Sequence, residues 1–356
     1  MADATLPTTP PVATTPPAPK TNKLGLTRQQ YSGSPTTLCP GCGHDSVTSS
    51  IITACFELGI DPMQLIKMSG IGCSSKTPAY FMSQSFAFNS VHGRMPSVAT
   101  GALLANKNLK CIGISGDGDT ASIGIGQFMH LMRRNVPMVY IIENNGVYGL
   151  TKGQFSATAD RGSKLKSGLA NEFPPIDCCA IAIEMGCSFV ARSFSGDNKQ
   201  LVPLVKAAFS HKGTVLIDVI SPCITFNNHE GSTMSYDNVR AHDIPLHEIG
   251  FVPHYEPITA DFEPGTTKDI ILPDGAHIRL KKLHQDYDPT NKMLALTTLA
   301  ESKAKGEFAT GLLYIQEGNP SYNELMQLSE TPLAHMSEKE LRPSPEVLEE
   351  IMRELM

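Results

Sequence analysis

No apolar run in this 356-residue chain approaches the roughly 20 residues that a bilayer-spanning helix requires, so no membrane contact is expected. Basic residues are not in excess: 29 Lys and Arg stand against 35 Asp and Glu, a net charge of −6. Nucleic acid is therefore not expected as a partner, because phosphate backbones demand clustered cations. A small anionic cofactor needs only local positive charge and is not excluded. Charged residues make up only 18% and hydrophobic ones 41%, which suits a soluble globular protein, and the length allows one large α/β domain with appendages, or two modest domains. The stretch from Met1 to about Lys23 has no apolar h-region and is rich in Pro, Thr and Ala. It reads as a disordered arm (residues 1–23) rather than a signal peptide, and a cytoplasmic protein is expected. There is no internal repeat. The nine cysteines are odd in number and widely scattered, which is not the pattern of a secreted disulfide framework.

What is present is an alternation of short β-branched runs and amphipathic stretches between about residues 40 and 225. Strands are predicted at Leu65–Met68, Lys110–Ser115, Met138–Glu143, Ser188–Ala191 and Thr214–Ile220. Helices are predicted at Asp45–Leu58, Ser122–Arg134, Ile176–Met185 and Leu201–Ser210. Such βαβα alternation implies an α/β fold with a doubly wound, mostly parallel sheet. Its crossovers are right-handed, so the strands' carboxyl ends open on one edge, where such sheets bind ligands. Four strands run directly into loops rich in Gly, Cys, Asp and Asn: Ser69–Lys76, Gly116–Asp119, Asn144–Gly149 and Ser221–Cys223. The predicted main domain covers 24–254. Residues 255–356 change composition, with short strand-like pieces at Asp269–Leu272 and His277–Leu280 and helical patterns at Asn291–Ala304 and Pro345–Met356. They read as an extension that packs on the domain or on a partner.

Gly116-Asp117-Gly118 is followed, after 25 intervening residues (119–143), by Asn144-Asn145. A diphosphate needs a hard divalent cation, and Mg²⁺ takes near-octahedral oxygen ligands. Asp117 supplies a carboxylate at one strand end; one helix and one strand later, Asn145 arrives at the neighbouring strand end. Gly116 and Gly118 let backbone N–H groups approach phosphate, and the helix expected from near Ser122 aims its N-terminus at the anion. A lone Gly-Asp-Gly is more often a capped βα turn; the paired Asn at this distance, in this context, tilts the reading to the cofactor.

Cys39-Pro-Gly-Cys42-Gly-His44 keeps an open backbone around two thiols. Alone it fits a zinc knuckle, a redox pair or half a cluster site. Cys73 and Cys223 add a thiol each on loops of the same edge. Four thiolates suit zinc or an iron–sulfur cluster. One local pair with two dispersed singles favours the cluster, since four-cysteine zinc sites usually use two local pairs. Cys55, Cys111, Cys178, Cys179 and Cys187 fall in helical or strand patterns and read as small core hydrophobes.

Taken in order, CPGCGH, GIGCSSK, HGR (His92–Arg94), GDGD, NNGVYGLTKGQ and SPC closely resemble the β-subunit of 2-oxoacid:ferredoxin oxidoreductases over about residues 35–250. The resemblance implies thiamine diphosphate (TPP) on Mg²⁺, with Asp117, Asn145 and the Val147 carbonyl as metal ligands and Asp119 and Asn144 in support. Gly72, Ser74, His92, Gly116, Gly118, Gly149 and Leu150 are implied as further cofactor contacts. Cys39, Cys42, Cys73 and Cys223 would ligate one [4Fe–4S] cluster, with no second ferredoxin-like cysteine run present. Lys76 and Lys152 are the expected substrate contacts, with Arg94 a third cation on these loops. His44 and His92 are expected to orient loops or touch phosphate, with His92 a candidate in catalysis. Partners implied are an α-subunit with the pyrimidine-binding domain and its activating glutamate, a ferredoxin, a 2-oxoacid and coenzyme A. The loop Leu150–Gly168 and the stretch Ser221–Asp243 resemble the 2-oxoglutarate branch more than the pyruvate branch. The competing readings are a pyruvate-using member, a non-redox TPP decarboxylase or synthase, and a zinc-stabilised interaction module.

Overall fold

The computed structural model describes residues 19–165, 168–230, 232–252, 265–272, 275, 277–283 and 287–355. Most of the predicted N-terminal arm, residues 1–18, lies outside the described residues; within the remainder, Thr21 bridges Thr27.

The strands are β1 (Leu65–Ser69), β2 (Phe86–Asn89), β3 (Lys110–Gly116), β4 (Val139–Asn144), β5 (Val147–Tyr148), β6 (Gln154–Phe155), β7 (Phe189–Phe194) and β8 (Val215–Ile220). The later ones are β9 (Asp243–Pro245), β10 (His247–Val252), β11 (Thr267–Ile271), β12 (His277–Lys282) and β13 (Phe308–Ile315). Eight form one sheet in the order β2-β1-β3-β4-β8-β7-β13-β9. The first six are parallel; β13 joins β7 antiparallel, and β9 joins β13 parallel. A mostly parallel doubly wound sheet is thus observed. Strands β1, β4, β7 and β8 are buried at every position, as expected where helices cover both faces.

One face carries α1 (Gly43–Leu58) and α5 (Asn198–Ser210), whose Val47, Ile51, Leu201 and Leu204 meet Ile112, Ile141 and Ile217 of the sheet. The other carries α2 (Met95–Ala105), α3 (Ile125–Arg134), α4 (Cys178–Glu184) and α7 (Lys292–Lys305), α6 being Tyr236–His242. There Phe128, Ala182 and Leu299 pack under Tyr140 and Leu313. The antiparallel trio β10-β12-β11 closes over α5, with Ile249, Ile278 and Leu280 completing the first core.

Several elements escaped the sequence reading, helices α2 and α6 and strands β9 and β10 among them, and two more bear on the site and the sheet. Strand β2 is short and exposed at all four positions, so no buried run announced it. Strand β13 lies in the predicted extension, yet Ala309 to Ile315 are all buried and the strand is sewn into the main sheet. The helix expected from Ser122 starts later. A wide turn at Gly118–Ile123 comes first, the Gly124 N–H donating to the Asp119 carbonyl at 2.8 Å, and α3 begins only at Ile125.

Candidate functional site

The sheet order decides the site. Strands β1, β3, β4 and β8 are consecutive neighbours, so the four loops picked out by composition emerge side by side. Gly116 pairs with Glu143 and Asn144 with Ile220, which sets Asp117, Asn145 and Ser221 in adjoining tracks.

Asp117 is 1% exposed and held on all sides. Its Oδ1 accepts the Asn145 N–H at 3.1 Å; its Oδ2 accepts Thr158 Oγ1 at 2.6 Å and the Ser156 hydroxyl. Burial pushes its carboxyl above the ordinary range, while Ser156 and Thr158 pull it back. The Asn145 side-chain oxygen accepts the Val147 N–H at 3.0 Å, closing an Asx turn, and its own carbonyl accepts Asn227 Nδ2 at 2.7 Å. Asn144 faces the other way: it donates to Asp218 at 3.0 Å and its oxygen accepts Thr158 Oγ1 at 3.1 Å. Asp119 is fully engaged by the protein, accepting the Gly93 N–H at 2.7 Å and Ser115 Oγ at 3.0 Å. This is what the His-Gly-Arg motif does locally, since Gly93 is its middle residue. A Cβ on Gly70 would collide with the Asp119 carboxylate, and one on Gly118 would stand 2.5 Å from the Tyr148 ring, so both positions require glycine. Tyr148 in turn donates its hydroxyl to the Gly118 carbonyl at 2.8 Å.

One cavity is lined by Gly72, Cys73, Ser74, Gly116, Asp117, Gly118, Asp119, Asn145, Val147 and Gly149, together with His44, Ile71, Glu143 and Tyr148. The structure therefore gathers nearly all of the predicted cofactor contacts. His92 and Leu150 lie outside that lining and are exposed. Burial raises the Asp119 carboxyl, and the hydrogen bonds from Gly93 and Ser115 pull it back. Burial likewise raises the Cys73 thiol, and the half-buried Lys76 beside it pulls the other way. Lys76 itself lines a separate surface depression. Lys152 is exposed and adopts φ 79° in the turn between β5 and β6.

The cysteines divide by burial: Cys55, Cys111, Cys178, Cys179 and Cys187 are buried, whereas Cys42, Cys73 and Cys223 are half-buried and Cys39 is exposed. The Cys42 N–H donates to the Cys39 carbonyl at 3.0 Å, and Thr225 Oγ1 contacts Cys39 Sγ at 3.6 Å, joining that loop to the Cys223 loop. A Cβ built on Gly149 would meet Cys73 Sγ at 3.5 Å and Cys223 Sγ at 3.6 Å. Burial pushes the Cys42 thiol up to about 12, and the neighbouring Cys223 and Cys73 add to the rise. Only a metal or another strong positive charge would make it a thiolate at neutral pH. Among the described residues no three His, Cys, Asp or Glu side chains are drawn tightly enough to cage a single ion. The donor chemistry fits the expected groups: Asp117, Asn145 and the Val147 carbonyl offer oxygens in one cavity, and the Cys73 and Cys223 sulfurs lie together against Gly149.

Sequence reasoning missed Glu143, Thr77, Ser156, Thr158 and Ser221. Glu143 is fully buried at the end of β4, accepts Thr77 Oγ1 at 3.0 Å on each oxygen and lies 3.8 Å from His44 Nε2. Burial holds its carboxyl well above the usual range and pushes His44 down to about 4, so His44 is neutral, its Nδ1 bonded to Ser221 Oγ at 2.6 Å. An acid directly after the apolar run Val139–Ile142, within the strand, was a legible signal for Glu143. The hydroxyls carried none, since Ser and Thr in loops are commonplace.

Comparison with known proteins agrees with this arrangement. The family described as thiamine pyrophosphate enzyme, C-terminal TPP binding domain, matches residues 70–219. The family describing the C-terminal part of the pyruvate ferredoxin oxidoreductase beta subunit matches residues 277–330. A Sulfolobus 2-oxoacid:ferredoxin oxidoreductase subunit beta is 41% identical over 221 residues, 62% of this chain and 70% of that one. The 2-oxoglutarate oxidoreductase subunit KorB of Mycobacterium tuberculosis is 36% identical over 62% of this chain and 57% of its own length. Among solved structures, the 2-oxoglutarate:ferredoxin oxidoreductase of Magnetococcus marinus, with 2-oxoglutarate, coenzyme A and succinyl-CoA bound, superposes with a TM-score of 0.69. That match is 27% identical and covers 89% of this chain and 97% of the other.

Proposed function

Because the chain belongs to the β-subunits of 2-oxoacid:ferredoxin oxidoreductases, we propose that it holds TPP on Mg²⁺ beside one [4Fe–4S] cluster and oxidises 2-oxoglutarate with coenzyme A and ferredoxin. The observation that carries the proposal is a shared wall: Cys73 lines the same cavity as Asp117 and Asn145, and Gly149 of that wall lies against the Cys73 and Cys223 sulfurs.

In this reading Asp117, Asn145 and the Val147 carbonyl hold the metal, and Cys39, Cys42, Cys73 and Cys223 hold the cluster. When bound, TPP supplies the electron sink for decarboxylation and the cluster carries electrons singly. The chain's own work is positional. Ser156 and Thr158 aim the Asp117 carboxylate, Asp119 fixes the Gly93 turn, and Tyr148 ties the β5 strand to the Gly118 turn. A neutral His44 beside Glu143 lines the same cavity as Asp117 and Cys73, so the imidazole would add no charge beside either group. Lys76 and Lys152 are proposed to meet the substrate's carboxylates, and an α-subunit to supply the pyrimidine-binding half. The relatives named for 2-oxoglutarate favour that substrate. The C-terminal match named for pyruvate identifies its rival.

The test is anaerobic co-purification with whatever partner the chain retains, followed by iron, thiamine and substrate assays. Brown protein with absorbance near ~400 nm and about four irons per chain is expected, together with turnover of 2-oxoglutarate at least tenfold above pyruvate. Colourless protein with stoichiometric zinc would sink the cluster assignment, and a tenfold preference for pyruvate would reverse the substrate.

A further inference from the structure

Lys67 is a lysine in the wrong place for its type. It sits in the middle of β1, 3% exposed, in a strand that is otherwise core. A buried ammonium is costly unless every donor is satisfied. Here all three are: Lys67 Nζ donates to the carbonyls of Pro78 at 2.8 Å, Phe81 at 2.6 Å and Met82 at 2.8 Å, and stands 5.2 Å from the centre of the Phe81 ring. Among the described residues no carboxylate pairs with it, and its hydrogen bonds go to backbone carbonyls from the close of one loop.

That loop begins at Cys73. The chain runs from Cys73 through a tight helical turn to Ala79, then to Met82, which is fully buried at φ 43° in the left-handed region. A non-glycine residue persists there only if its surroundings over-determine it. Lys67 provides two of the ties, gripping the Phe81 and Met82 carbonyls; the Met82 N–H to the Tyr31 carbonyl, 2.8 Å, provides another. Between the two ends, Thr77 is bonded to Glu143.

We infer that Lys67 is a positioning residue for the cysteine loop: by drawing three carbonyls onto one ammonium it fixes the far end of the Cys73–Met82 segment and so sets where Cys73 presents its sulfur. The inference rests on the cluster reading given above. A lysine suits this task and an arginine does not. An ammonium directs three donors tetrahedrally from one nitrogen, whereas no guanidinium nitrogen carries more than two and all lie in a plane. Burial pushes its pKa down to about 8, which leaves it charged at neutral pH.

The experiment compares wild type, Lys67→Arg and Lys67→Met, each purified anaerobically with its retained partner. Iron per chain, the spectrum of the reduced cluster and its midpoint potential are measured, alongside TPP affinity and thermal melting. Lys67→Arg is expected to fold and to bind TPP within about twofold of wild type while losing half or more of its iron or shifting the cluster potential. Lys67→Met is expected to lose more; if it is insoluble, Lys67→Arg decides alone. Folded variants with full iron and unchanged spectrum and potential would overturn the role of Lys67. Wild-type protein without iron would instead remove the cluster reading, and the inference with it.

Discussion

The contact most open to test is the one between Thr158 and Asp117. In Thr158→Val the side chain keeps its size and loses its hydroxyl. The lost bond is the 2.6 Å contact to a carboxylate that is 1% exposed, and Asn144 Oδ1 loses its 3.1 Å contact in the same change. A hydrogen bond to a charged group contributes about 1.5–3 kcal/mol. The Ser156 hydroxyl still reaches the same oxygen, so the lower part of that range applies. At about 1.4 kcal/mol per decade, TPP should bind roughly tenfold more weakly at fixed Mg²⁺. The chain has no tryptophan to report binding, so the assay is titration calorimetry on protein purified with its retained partner. Thr158→Ser, which keeps the hydroxyl, should stay within about twofold of wild type. Equal affinities for wild type and the valine variant would refute the claim that this hydroxyl aims Asp117.

Gly118→Ala should displace the Tyr148 ring, which stands 2.5 Å from the new Cβ, and break its bond to the Gly118 carbonyl; TPP affinity should fall at least tenfold by the same calorimetry. His247 is 4% exposed, and its Nε2 accepts the Leu312 N–H at 3.1 Å, so protonation there would set two donors against each other. Burial lowers its folded pKa from 6.5 to about 4, so between those values the unfolded chain binds more protons and stability falls as pH drops. The loss approaches about 3 kcal/mol below pH ~4. Denaturant melts across that window should show a flatter pH slope in His247→Gln, and an unchanged slope would count against the assignment. The helix Pro345–Glu354 buries none of its residues, so ending the chain at Ser344 should leave the melting temperature of the isolated chain within about 2 °C, and a larger drop would reveal a missed contact.

Sequence alone determined the sheet's character and the chemistry of its rim. The buried parallel strands are mostly apolar, interrupted by Lys67 in β1 and Asp218 in β8, and each of the four that matter runs into a loop rich in Gly, Cys, Asp or Asn, so strand and loop were both visible. It also separated the loop cysteines from the buried ones, because Cys55 and Cys111 sit within apolar periodicity and Cys39 and Cys42 within Gly and Pro. Spatial order was not legible. That β8 returns beside β4, bringing Cys223 next to Gly149, depends on how helices pack across the two faces, and no local pattern encodes it. The same holds for β13, whose apolar run reads alike whether it joins this sheet or another. Lys67, Glu143 and the hydroxyls around Asp117 belong wholly to the tertiary structure. A polar group's meaning depends on which partners burial leaves it: Lys67 bonds Pro78, 11 residues on, Thr158 bonds Asp117 across 41 residues, and Thr77 bonds Glu143 across 66.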